Sequence, residues 1–520
     1  MTGGGLLTLV SYGQQNILLS GNPQMTYFYK AFRRYSHFSM ENVTTALEGP
    51  QELSYDQTIR LRYKIQRIAD LVSDMYFTFR IPDIYSKYVT PTGSLNIQNE
   101  FQWARYLGAA LIQNAAFFVG GQKIQEFDGT YIMSRALLDY DKDKLQKWKN
   151  LVGDIPELNN PADGLYAGGL YNQGYPTVLS NSVATSNSVA QLNRPSIFGR
   201  DIHVPLPFWF TENTAQSLPL LGLQYHDCEI QLTLNPIQQL YSTLDASGFR
   251  VAPGYYVNSD SNSIYNNTPI YANLPDISGV TMNNFLVDIG YSKPNFNNWS
   301  LYPRLQTTYI YLTDNDRRVF SSSPLSYLYQ EVQQFPFLGL YNRQLLDVEC
   351  HNPVSRLLFI TRRSDTTYRN DFANLTNWFN YPKPPFNPTP NVTTYLSNYN
   401  SSGLLLPQGQ IDSIRNLRVL ADGNEIQQEK PVDFFTRITP FRYLTGDSED
   451  LIPVYSFALH SPTTQPAGSI NTSRIKNFQV EVDVYPLPPN TTYTYNLYLY
   501  VESYNFFEVV SGCGGKRFAV

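Results

Sequence analysis

The sequence predicts an all-β protein built from two tandem antiparallel domains, with a few short helices and long loops. First, 14% of the 520 residues are aromatic and only 16% are charged, a balance that favours strands over solvated helices. Second, many segments alternate apolar and polar residues with the two-residue period of a half-buried strand. Third, two alternating segments, residues 230–234 and 480–484, lie about 250 positions apart. Two large domains of similar design account for all three observations.

Charge and cysteine content exclude several classes of function. The 38 basic and 43 acidic side chains give a net charge of −5, so no overall positive field exists to hold nucleic acid through its phosphates. The chain has three cysteines, Cys228, Cys350 and Cys513. Because this number is odd and the residues are widely scattered, they form no disulfide framework and fit a reducing compartment. The first ten residues hold no basic residue before a very short apolar run, and no later apolar run reaches ~18 residues. We therefore predict neither a signal peptide nor a membrane span.

Two segments precede the first strands. Residues 1–25 are rich in glycine and are predicted to form an arm rather than a domain. Residues 26–34 resemble a short helix with a threonine cap, and they include the basic residues Lys30, Arg33 and Arg34. These cations either solvate a helix end or contact an acidic partner, and the run is too short to bind nucleic acid.

Strands are predicted in both halves of the chain. The segments that we predict as strands from alternation or aromatic content are residues 59–65, 75–81, 202–210, 218–234, 309–312, 357–360, 417–419 and 478–484. Gly120 and Gly121 predict a hairpin over residues 118–124, because a tight turn needs positive φ angles. The clearest helix is predicted over residues 134–150, where leucines and a tryptophan lie opposite charged side chains.

Three long segments lack periodicity and are predicted as loops. They are residues 156–195, 236–300 and 364–410, which are rich in turn-forming residues. We place the connection between the two domains in residues 236–300. Loops of this length are usually functional surface. Because strands and helices do not alternate regularly, antiparallel sandwiches or jelly rolls are favoured over a parallel α/β fold.

The patterns that could indicate catalysis or metal binding are weak. Residues 512–516 (Gly-Cys-Gly-Gly-Lys) lack the four-residue gap and the Ser/Thr of a phosphate loop, so we predict a flexible tail. The five histidines, at positions 37, 203, 226, 351 and 460, include no pair at metal-ligand spacing. Cys228 and His226 share one face of a predicted strand, but nothing there supplies an oxyanion hole or an orienting third group. We expect no catalytic residue, no cofactor and no metal site.

The tyrosine- and asparagine-rich loops leave two interpretations open. Such side chains stack against sugars, so a carbohydrate-binding protein or a glycosidase is one hypothesis, and a glycosidase needs two carboxylates across a cleft. The lack of a secretory signal and of disulfides argues against an extracellular hydrolase. The other interpretation is a surface that contacts neighbouring subunits, since Tyr supplies a large contact area with few rotatable bonds.

Several short strings, in order along the chain, resemble one known family. The strings are residues 3–7, 11–13, 21–24, 27–34, 37–38, 40–41, 206–210, 218–226, 311–312, 317–318, 320, 455–459, 465–466, 468–469, 473–475, 511–512 and 514–515. The most distinctive are Tyr-Phe-Tyr-Lys-Ala-Phe-Arg-Arg at 27–34 and Leu-Pro-Phe-Trp-Phe at 206–210. In these strings the chain resembles the double jelly-roll major capsid proteins of nucleocytoplasmic large DNA viruses, especially the algal-virus type.

The resemblance implies a structural subunit without enzymatic activity, made of two tandem eight-stranded antiparallel jelly rolls. Its expected parts are an N-terminal arm over residues 1–25, a first jelly roll over 26–237, a connector over 238–300, a second jelly roll over 301–510 and a C-terminal tail over 511–520. Three chains are expected to form a pseudo-hexagonal homotrimeric capsomer that tiles the icosahedral shell of a large double-stranded DNA virus.

The resemblance also implies partners and a location. The expected partners are neighbouring capsomers, minor capsid or penton proteins beneath the shell, and inner membrane-associated proteins, with no direct contact to nucleic acid. We expect residues 156–195 and 364–410 at the outer end of the capsomer, the arm along its inner base, assembly in the host cytoplasm and a final place in the virion. The alternatives are a double-barrel scaffolding protein that is absent from mature virions, or a cytosolic carbohydrate-binding protein.

Overall fold

Strands dominate the fold, and the helices are short. The structure is a computed structural model. It describes residues 3–30, 32–86, 88–89, 97–98, 101–161, 195–244, 250–253, 281–286, 296–378, 411–461, 465–487 and 493–518. The greater parts of the three predicted loops, residues 162–194, 254–280 and 379–410, lie outside the described residues.

Eight antiparallel strands in the first half of the described chain form two sheets around one core. They are β1 Phe38–Ala46, β2 Ile59–Lys64, β3 Leu71–Arg80, β4 Ile112–Val119, β5 Gln122–Phe127, β6 Asp201–Pro205, β7 Cys228–Leu234 and β8 Arg304–Leu312. One sheet has the order β1–β8–β3–β6 and the other has the order β2–β7–β4–β5. Buried residues of both sheets, such as Leu61 and Phe77, share one apolar core. This arrangement is a jelly roll.

The second half repeats the arrangement. Its strands are β9 Leu325–Leu340, β10 Gln344–Asp347, β11 Pro353–Arg363, β12 Ile414–Ala421, β13 Asn424–Pro431, β14 Val454–Ser456, β15 Phe478–Val484 and β16 Tyr495–Val510. The two sheets have the orders β9–β16–β11–β14 and β10–β15–β12–β13. Each strand therefore has a counterpart at the same place in the first barrel, and the predicted all-β fold of two tandem jelly rolls is confirmed.

Helices and short strands fill the connections. The helices are α1 Gly4–Val10, α2 Gln14–Ser20, α3 Leu107–Leu111, α4 Gly129–Asp139, α5 Lys142–Val152, α6 Pro156–Asn159, α7 Trp209–Glu212, α8 Asp314–Ser322, the π-helix Phe434–Ile438 and α9 Thr439–Tyr443. The 3₁₀ turns are Thr214–Gln216, Leu220–Gly222, Ile237–Gln239, Met282–Asn284, Ser364–Tyr368 and Thr472–Arg474. The remaining strands are Tyr88–Val89, Ile97–Gln98, Phe101–Trp103, Leu218–Pro219, Tyr241–Leu244, Arg250–Val251, Ile470–Asn471 and β17 Cys513–Lys516. Among the described helices, none has the length and apolar character needed to cross a membrane.

Several predicted local structures are confirmed. Burial alternates along β2, where every second residue from Ile59 is buried, and along β15. Gly120 and Gly121 form the turn between β4 and β5 with φ angles of 57° and 82°, which glycine adopts without steric cost. The strands that contain residues 230–234 and 480–484 are β7 and β15, which are counterparts in the two barrels. The repeat read from the sequence is therefore a repeat in the fold.

The predicted boundary between the domains needs correction. We predicted that the first jelly roll spans residues 26–237 and that the second begins at residue 301, after a connector over 238–300. Strand β8, Arg304–Leu312, instead lies between β1 and β3 in the first barrel. The first barrel therefore closes only at residue 312, and the short segment that contains α8 links the two barrels. The aromatic character of β8 shows that it is buried, but not which barrel buries it.

Three other predictions also need correction. The helix predicted over residues 134–150 is two helices, because Tyr140 is extended and the Asp141 side chain accepts a hydrogen bond from the Lys144 backbone to cap α5. The described residues of the segment 26–34, which are 26–30 and 32–34, are not helical, whereas the arm before them contains α1 and α2. The tail predicted over residues 511–520 contains β17, which pairs with β16 through a turn with positive φ at Ser511 and Gly512.

Candidate functional site: the interface between the two barrels

The apolar core of the first barrel extends into the contact with the second barrel. Tyr329, Leu358, Tyr500 and Phe507 of the second barrel belong to the buried cluster that fills the first barrel. The other face of the same second-barrel sheet packs on a separate core of its own. Residues 354–361 of β11 are consequently buried without interruption, the pattern of a strand that is covered on both faces. The second barrel therefore uses the outer face of one sheet to hold the first.

Helix α4 is the main element of this interface. It follows β5 directly, and the Asp128 side chain caps it by accepting a hydrogen bond from the Tyr131 backbone at 2.7 Å. The other carboxylate oxygen of Asp128 accepts hydrogen bonds from the Tyr500 hydroxyl at 2.7 Å and from the Gln334 amide at 3.2 Å. Burial raises the pKa of Asp128, which these hydrogen bonds oppose. One aspartate thus starts the helix and ties it to the second barrel.

The face of α4 toward the second barrel carries Tyr131, Arg135 and Asp139 at four-residue spacing. The Tyr131 hydroxyl donates to the Glu502 carboxylate at 2.8 Å. The Asp139 carboxylate accepts two hydrogen bonds from the Arg356 guanidinium, at 2.6 and 2.7 Å. Such a two-point contact fixes both the distance and the orientation of the two elements.

Arg356 is the centre of a buried charge cluster. It is 0% exposed and binds Glu502 of the adjacent strand as well as Asp139, with 2.8 Å between its Nη2 and a Glu502 oxygen. Burial alone would lower the pKa of Arg356, but the two carboxylates outweigh burial and hold that pKa well above its usual value. Arg135 extends the cluster by pairing with Asp139 and Glu212. A buried cation with two anions is costly to disrupt, because removing one partner leaves an uncompensated charge.

The C-terminal end of α4 is also held by the second barrel. The Gly446 backbone donates to the Leu138 carbonyl at 2.8 Å, and the Thr445 hydroxyl donates to the Asp139 carbonyl at 2.6 Å. These bonds satisfy carbonyl groups that a helix end leaves without partners. A Cβ atom at residue 446 would lie 2.4 Å from the Leu137 carbonyl oxygen, so the close approach requires glycine.

Aromatic packing forms a second contact between the barrels. Trp209 of α7 packs against Tyr327, Tyr329 and Phe507 of the second barrel, with ring centroids 5.2, 6.1 and 5.4 Å apart. The Gln216 amide nearby donates to the Leu328 carbonyl at 2.7 Å. The interface thus combines large apolar surfaces with a few directional hydrogen bonds, as the interior of a single domain does.

A cavity of about 680 Å³ lies at another part of the interface, near the N-terminal end of α4. Asp128, Thr130, Arg362 and Asp371 are among its lining residues. Arg362 of β11 donates to the Phe372 carbonyl at 2.7 Å and to the Thr130 hydroxyl at 3.3 Å, so it connects the barrels across the cavity. Burial lowers the pKa of Arg362 and raises the pKa of Asp371. This polar region therefore also contributes links between the barrels.

The residues weighed as chemical candidates take part in packing. His226 Nδ1 lies 2.9 Å from the Gly514 carbonyl oxygen, so the region predicted as a phosphate-loop-like tail is a strand held against the first barrel. Burial raises the pKa of Cys228 to about 12, which keeps its thiol protonated at neutral pH. His203 Nδ1 lies 2.9 Å from the Thr78 hydroxyl. In the part of the chain that the structure describes, no group of three or more His, Cys, Asp or Glu side chains is placed to hold a metal.

The charge cluster was not among the sites predicted from the sequence. Arg356 lies in the run Val-Ser-Arg-Leu-Leu-Phe-Ile over residues 354–360, and Glu502 follows an equally apolar run over residues 497–501. A single charge inside a strand-forming apolar run is a signal of a buried ion partner, since unpaired charges are almost never buried. The partner Asp139 carries no such signal, because it lies among charged residues at the end of α4.

Family models match most of the chain. The model described as "Major capsid protein N-terminus" matches residues 26–273, and the model described as "Large eukaryotic DNA virus major capsid protein" matches residues 316–515. Two relatives match over nearly their whole length. The chain is 22% identical to the major capsid protein of Phaeocystis pouchetii virus and 25% identical to that of Pyramimonas orientalis virus, with 99% of this chain and 99% and 100% of the relatives covered.

Solved structures agree with the fold. A quasi-atomic model of the PBCV-1 virus capsid superposes with a TM-score of 0.62 at 18% identity, covering 95% of this chain and all of that one. The Faustovirus major capsid protein superposes with a TM-score of 0.60 at 14% identity, covering 97% and 96% of the two chains. From the paired barrels, the two family models and the full-length relatives, we conclude that the chain belongs to the double jelly-roll major capsid proteins of large eukaryotic DNA viruses.

Proposed function

We propose that this major capsid protein is the repeating subunit of an icosahedral shell and that three copies form a pseudo-hexagonal capsomer. The observation that carries the proposal is that two barrels of the same strand order are joined by an apolar cluster, which runs from the core of the first barrel onto the facing sheet of the second. Three such chains in a ring present six similar barrels, so an assembly with threefold symmetry fits a hexagonal lattice. The buried cluster around Arg356 supports this role, because a tile needs a fixed angle between its two barrels.

Electron microscopy and light scattering of the expressed protein test this proposal. We expect particles with a hexagonal outline and a mass three times the 59.4 kDa of the chain. A protein that stays monomeric at all accessible concentrations would contradict it. We expect no catalytic activity, so a hydrolysis screen and a glycan array on the same material should both be negative. A turnover or a specific glycan would favour the carbohydrate-binding alternative instead.

The N-terminal arm supports a further contact in the shell. Its side chains are largely exposed and many are apolar, including Leu6, Leu9, Leu18 and Leu19, the last of which is 91% exposed. An apolar surface of this kind on a single chain marks an interaction site. We assign to the arm the contact with neighbouring capsomers, with minor capsid or penton proteins, or with inner membrane-associated proteins beneath the shell, and we expect no direct contact with nucleic acid.

Deletion of residues 2–24 tests the role of the arm. Because α1 and α2 bury no residue in the chain, the truncated protein should remain soluble and trimeric. Shell assembly should nevertheless fail, which electron microscopy of infected cells or of reconstituted shells would reveal. Normal shells from the truncated protein would contradict the assignment.

The remaining parts of the proposal concern the exterior and the location. We propose that residues 156–195 and 364–410 lie at the outer end of the capsomer, that assembly occurs in the host cytoplasm and that the protein ends in the virion shell. Mass spectrometry of purified virions separates a coat subunit from a scaffolding protein with the same double barrel. A scaffolding protein would be abundant during assembly and absent from mature particles.

A further inference from the structure

The sheet β1–β8–β3–β6 of the first barrel and the sheet β9–β16–β11–β14 of the second correspond residue by residue. In the first barrel, Thr307 and Tyr309 of β8 pair with Met75 and Val72 of β3, so β3 carries one extra residue. In the second barrel, Val501 and Ser503 of β16 pair with Leu357 and Val354 of β11, with the same extra residue at the same place. Because the bulge occurs at the same place in both sheets, it fixes which residue of one sheet corresponds to which residue of the other.

The alignment gives first-barrel counterparts to Arg356 and Glu502, two residues of the second barrel that contact α4. Asp74 corresponds to Arg356, and Thr308 corresponds to Glu502. Arg356 and Glu502 are completely buried by the first barrel, whereas Asp74 and Thr308 are only partly buried. Met40 on the edge strand β1 is 59% exposed. The outer face of the sheet β1–β8–β3 is therefore the uncovered counterpart of a face that α4 covers in the second barrel.

The helix α4 also has a counterpart. It follows β5, and the segment 434–443, which comprises the π-helix and α9, follows the corresponding strand β13. Residues 129–138 of α4 are all buried, but in the segment 434–443 Ile438 is 54% exposed and Phe441 is 93% exposed. The opposite side of the segment, which includes Phe435 and Pro440, packs on its own barrel. The segment thus presents an apolar surface at the position where α4 makes its contact.

We propose that the segment 434–443 of one copy of the chain docks on the outer face of the sheet β1–β8–β3 of a second copy. The contact repeats between copies what α4 does within one copy, and it rests on the proposed trimer. The partner is a second copy because one chain carries both the segment 434–443 and the open face of the sheet β1–β8–β3. These two surfaces cannot meet within one chain, since α4 holds the two barrels side by side. Three contacts within chains and three between chains then alternate around one ring, which closes after three copies.

Charge distribution agrees with this docking. Within the chain, the helix supplies an acid, Asp139, to a base on the sheet, Arg356. On the corresponding surfaces the signs are reversed, since the sheet carries Asp74 and the exposed face of the segment 434–443 carries Arg442. Among the described residues, neither Asp74 nor Arg442 forms an ion pair. We therefore assign Arg442 of one copy to Asp74 of the next.

Exposed substitutions test the contact without disturbing the fold of the single chain. Phe441→Glu places a charge on the proposed apolar surface, and Tyr225→Glu is the control on another exposed aromatic residue, which lies outside the arm and outside both proposed docking surfaces. We expect Phe441→Glu to raise the protein concentration at which half the material is trimeric by roughly tenfold or more, because an apolar contact is lost at each of the interfaces. Tyr225→Glu should leave that concentration unchanged. Circular dichroism and sedimentation velocity provide the two readouts.

A charge exchange tests the specific pair. Asp74→Arg and Arg442→Asp should each weaken the trimer by about tenfold, since each places like charges together, and the double variant should return to within about threefold of the original. In a Cys513→Ser background, Phe441→Cys alone should give no disulfide-linked dimer, because a head-to-tail contact does not bring the same residue of two copies together.

The outcomes separate this inference from the proposed function. If the unmodified chain never trimerises, both fail. If it trimerises and Phe441→Glu has no effect, the trimer stands and this docking surface is wrong. Recovery of the trimer in the double charge exchange supports the pairing of Asp74 with Arg442, and failure to recover overturns it. A Phe441→Cys dimer would indicate a twofold contact and overturn the head-to-tail arrangement.

Discussion

The same sheet occurs twice in this molecule, once covered and once open. In β11 of the second barrel, residues 354–361 are buried without interruption, whereas in its counterpart β3 of the first barrel the outward-facing Asp74 and Tyr76 are only partly buried. Both sheets have the same strand order and the same bulge. The difference therefore does not come from the fold of either barrel. It comes from what lies against the outer face, and the sequence has adapted by placing Arg356 and Glu502 where a partner helix neutralises them.

The largest expected effect comes from removing the centre of the covered face. Arg356→Met leaves the Glu502 carboxylate buried without its cation and leaves Asp139 with Arg135 alone. We expect the free energy of unfolding to fall by about 3–5 kcal/mol, the typical cost of breaking a buried pair by removing one partner. Urea denaturation followed by tryptophan fluorescence would measure this change.

Arg62→Ala is the matched control for Arg356→Met. Arg62 also pairs with a glutamate, Glu229 on the adjacent strand, but its side chain is 62% exposed. A surface pair of this kind contributes little, because its charges stay solvated and its long side chains lose freedom when they pair, so the loss should be far smaller than for Arg356→Met. If the two substitutions lower the free energy of unfolding by the same amount, the buried charges around Arg356 stabilise the fold no more than a surface pair does. The difference between the two sheets would then have no effect on stability.

A medium effect is expected where the second barrel approaches the end of α4. Gly446→Ala adds a Cβ atom 2.4 Å from the Leu137 carbonyl oxygen, so the loop must move away from the helix. Overpacking of this kind costs about 1–3 kcal/mol. Gly5→Ala, which adds the same methyl group in open space, should change nothing. Denaturation midpoints that match for these two variants would mean that the loop does not hold the helix.

The smallest effect is expected at Asp412, whose charged neighbours Asp433 and Arg437 lie immediately before the segment 434–443 and within it. Burial raises the pKa of Asp412 to about 6, helped by the nearby Asp433 and opposed by Arg437. Because this pKa is higher in the folded state than the ordinary value of 3.8, ionisation of Asp412 destabilises the fold above pH 6, and that cost disappears as the pH falls toward 4. Asp412→Asn should therefore stabilise the protein by roughly 1–2 kcal/mol near neutral pH.

Thermal unfolding at pH 7.5 and pH 4 checks the Asp412 prediction. The variant should unfold at a higher temperature than the original at pH 7.5, and the difference should be close to zero at pH 4. A gain of the same size at both values would show that ionisation of Asp412 is not its cause.

Local features of the fold could be predicted from the sequence. The alternation along β2 and β15 and the paired glycines between β4 and β5 are properties of a few neighbouring residues, and the structure confirms them. The repeat of two alike domains was also visible, because β7 and β15 have similar patterns at a fixed distance.

Features that depend on distant partners could not be predicted. Strand β8 has the same buried character whichever barrel contains it, so its sequence did not reveal that it closes the first barrel. The importance of Asp139 depends on Arg356, which lies more than two hundred residues later in the chain. Neither residue by itself indicates the other, and only the assembled interface makes them a pair.

The position of β16 has a consequence for how the protein is made. This strand lies between β9 and β11, yet it follows both of them in the chain. During translation the second barrel therefore lacks a central strand until residues 495–510 leave the ribosome, and β9 and β11 have no shared neighbour before that moment. A prematurely terminated chain keeps its first barrel but lacks the second-barrel strand on which α4 packs. The buried face of α4 and the unpaired edges of β9 and β11 are then exposed. Chaperones and proteases can recognise these exposed surfaces before any such chain enters a particle.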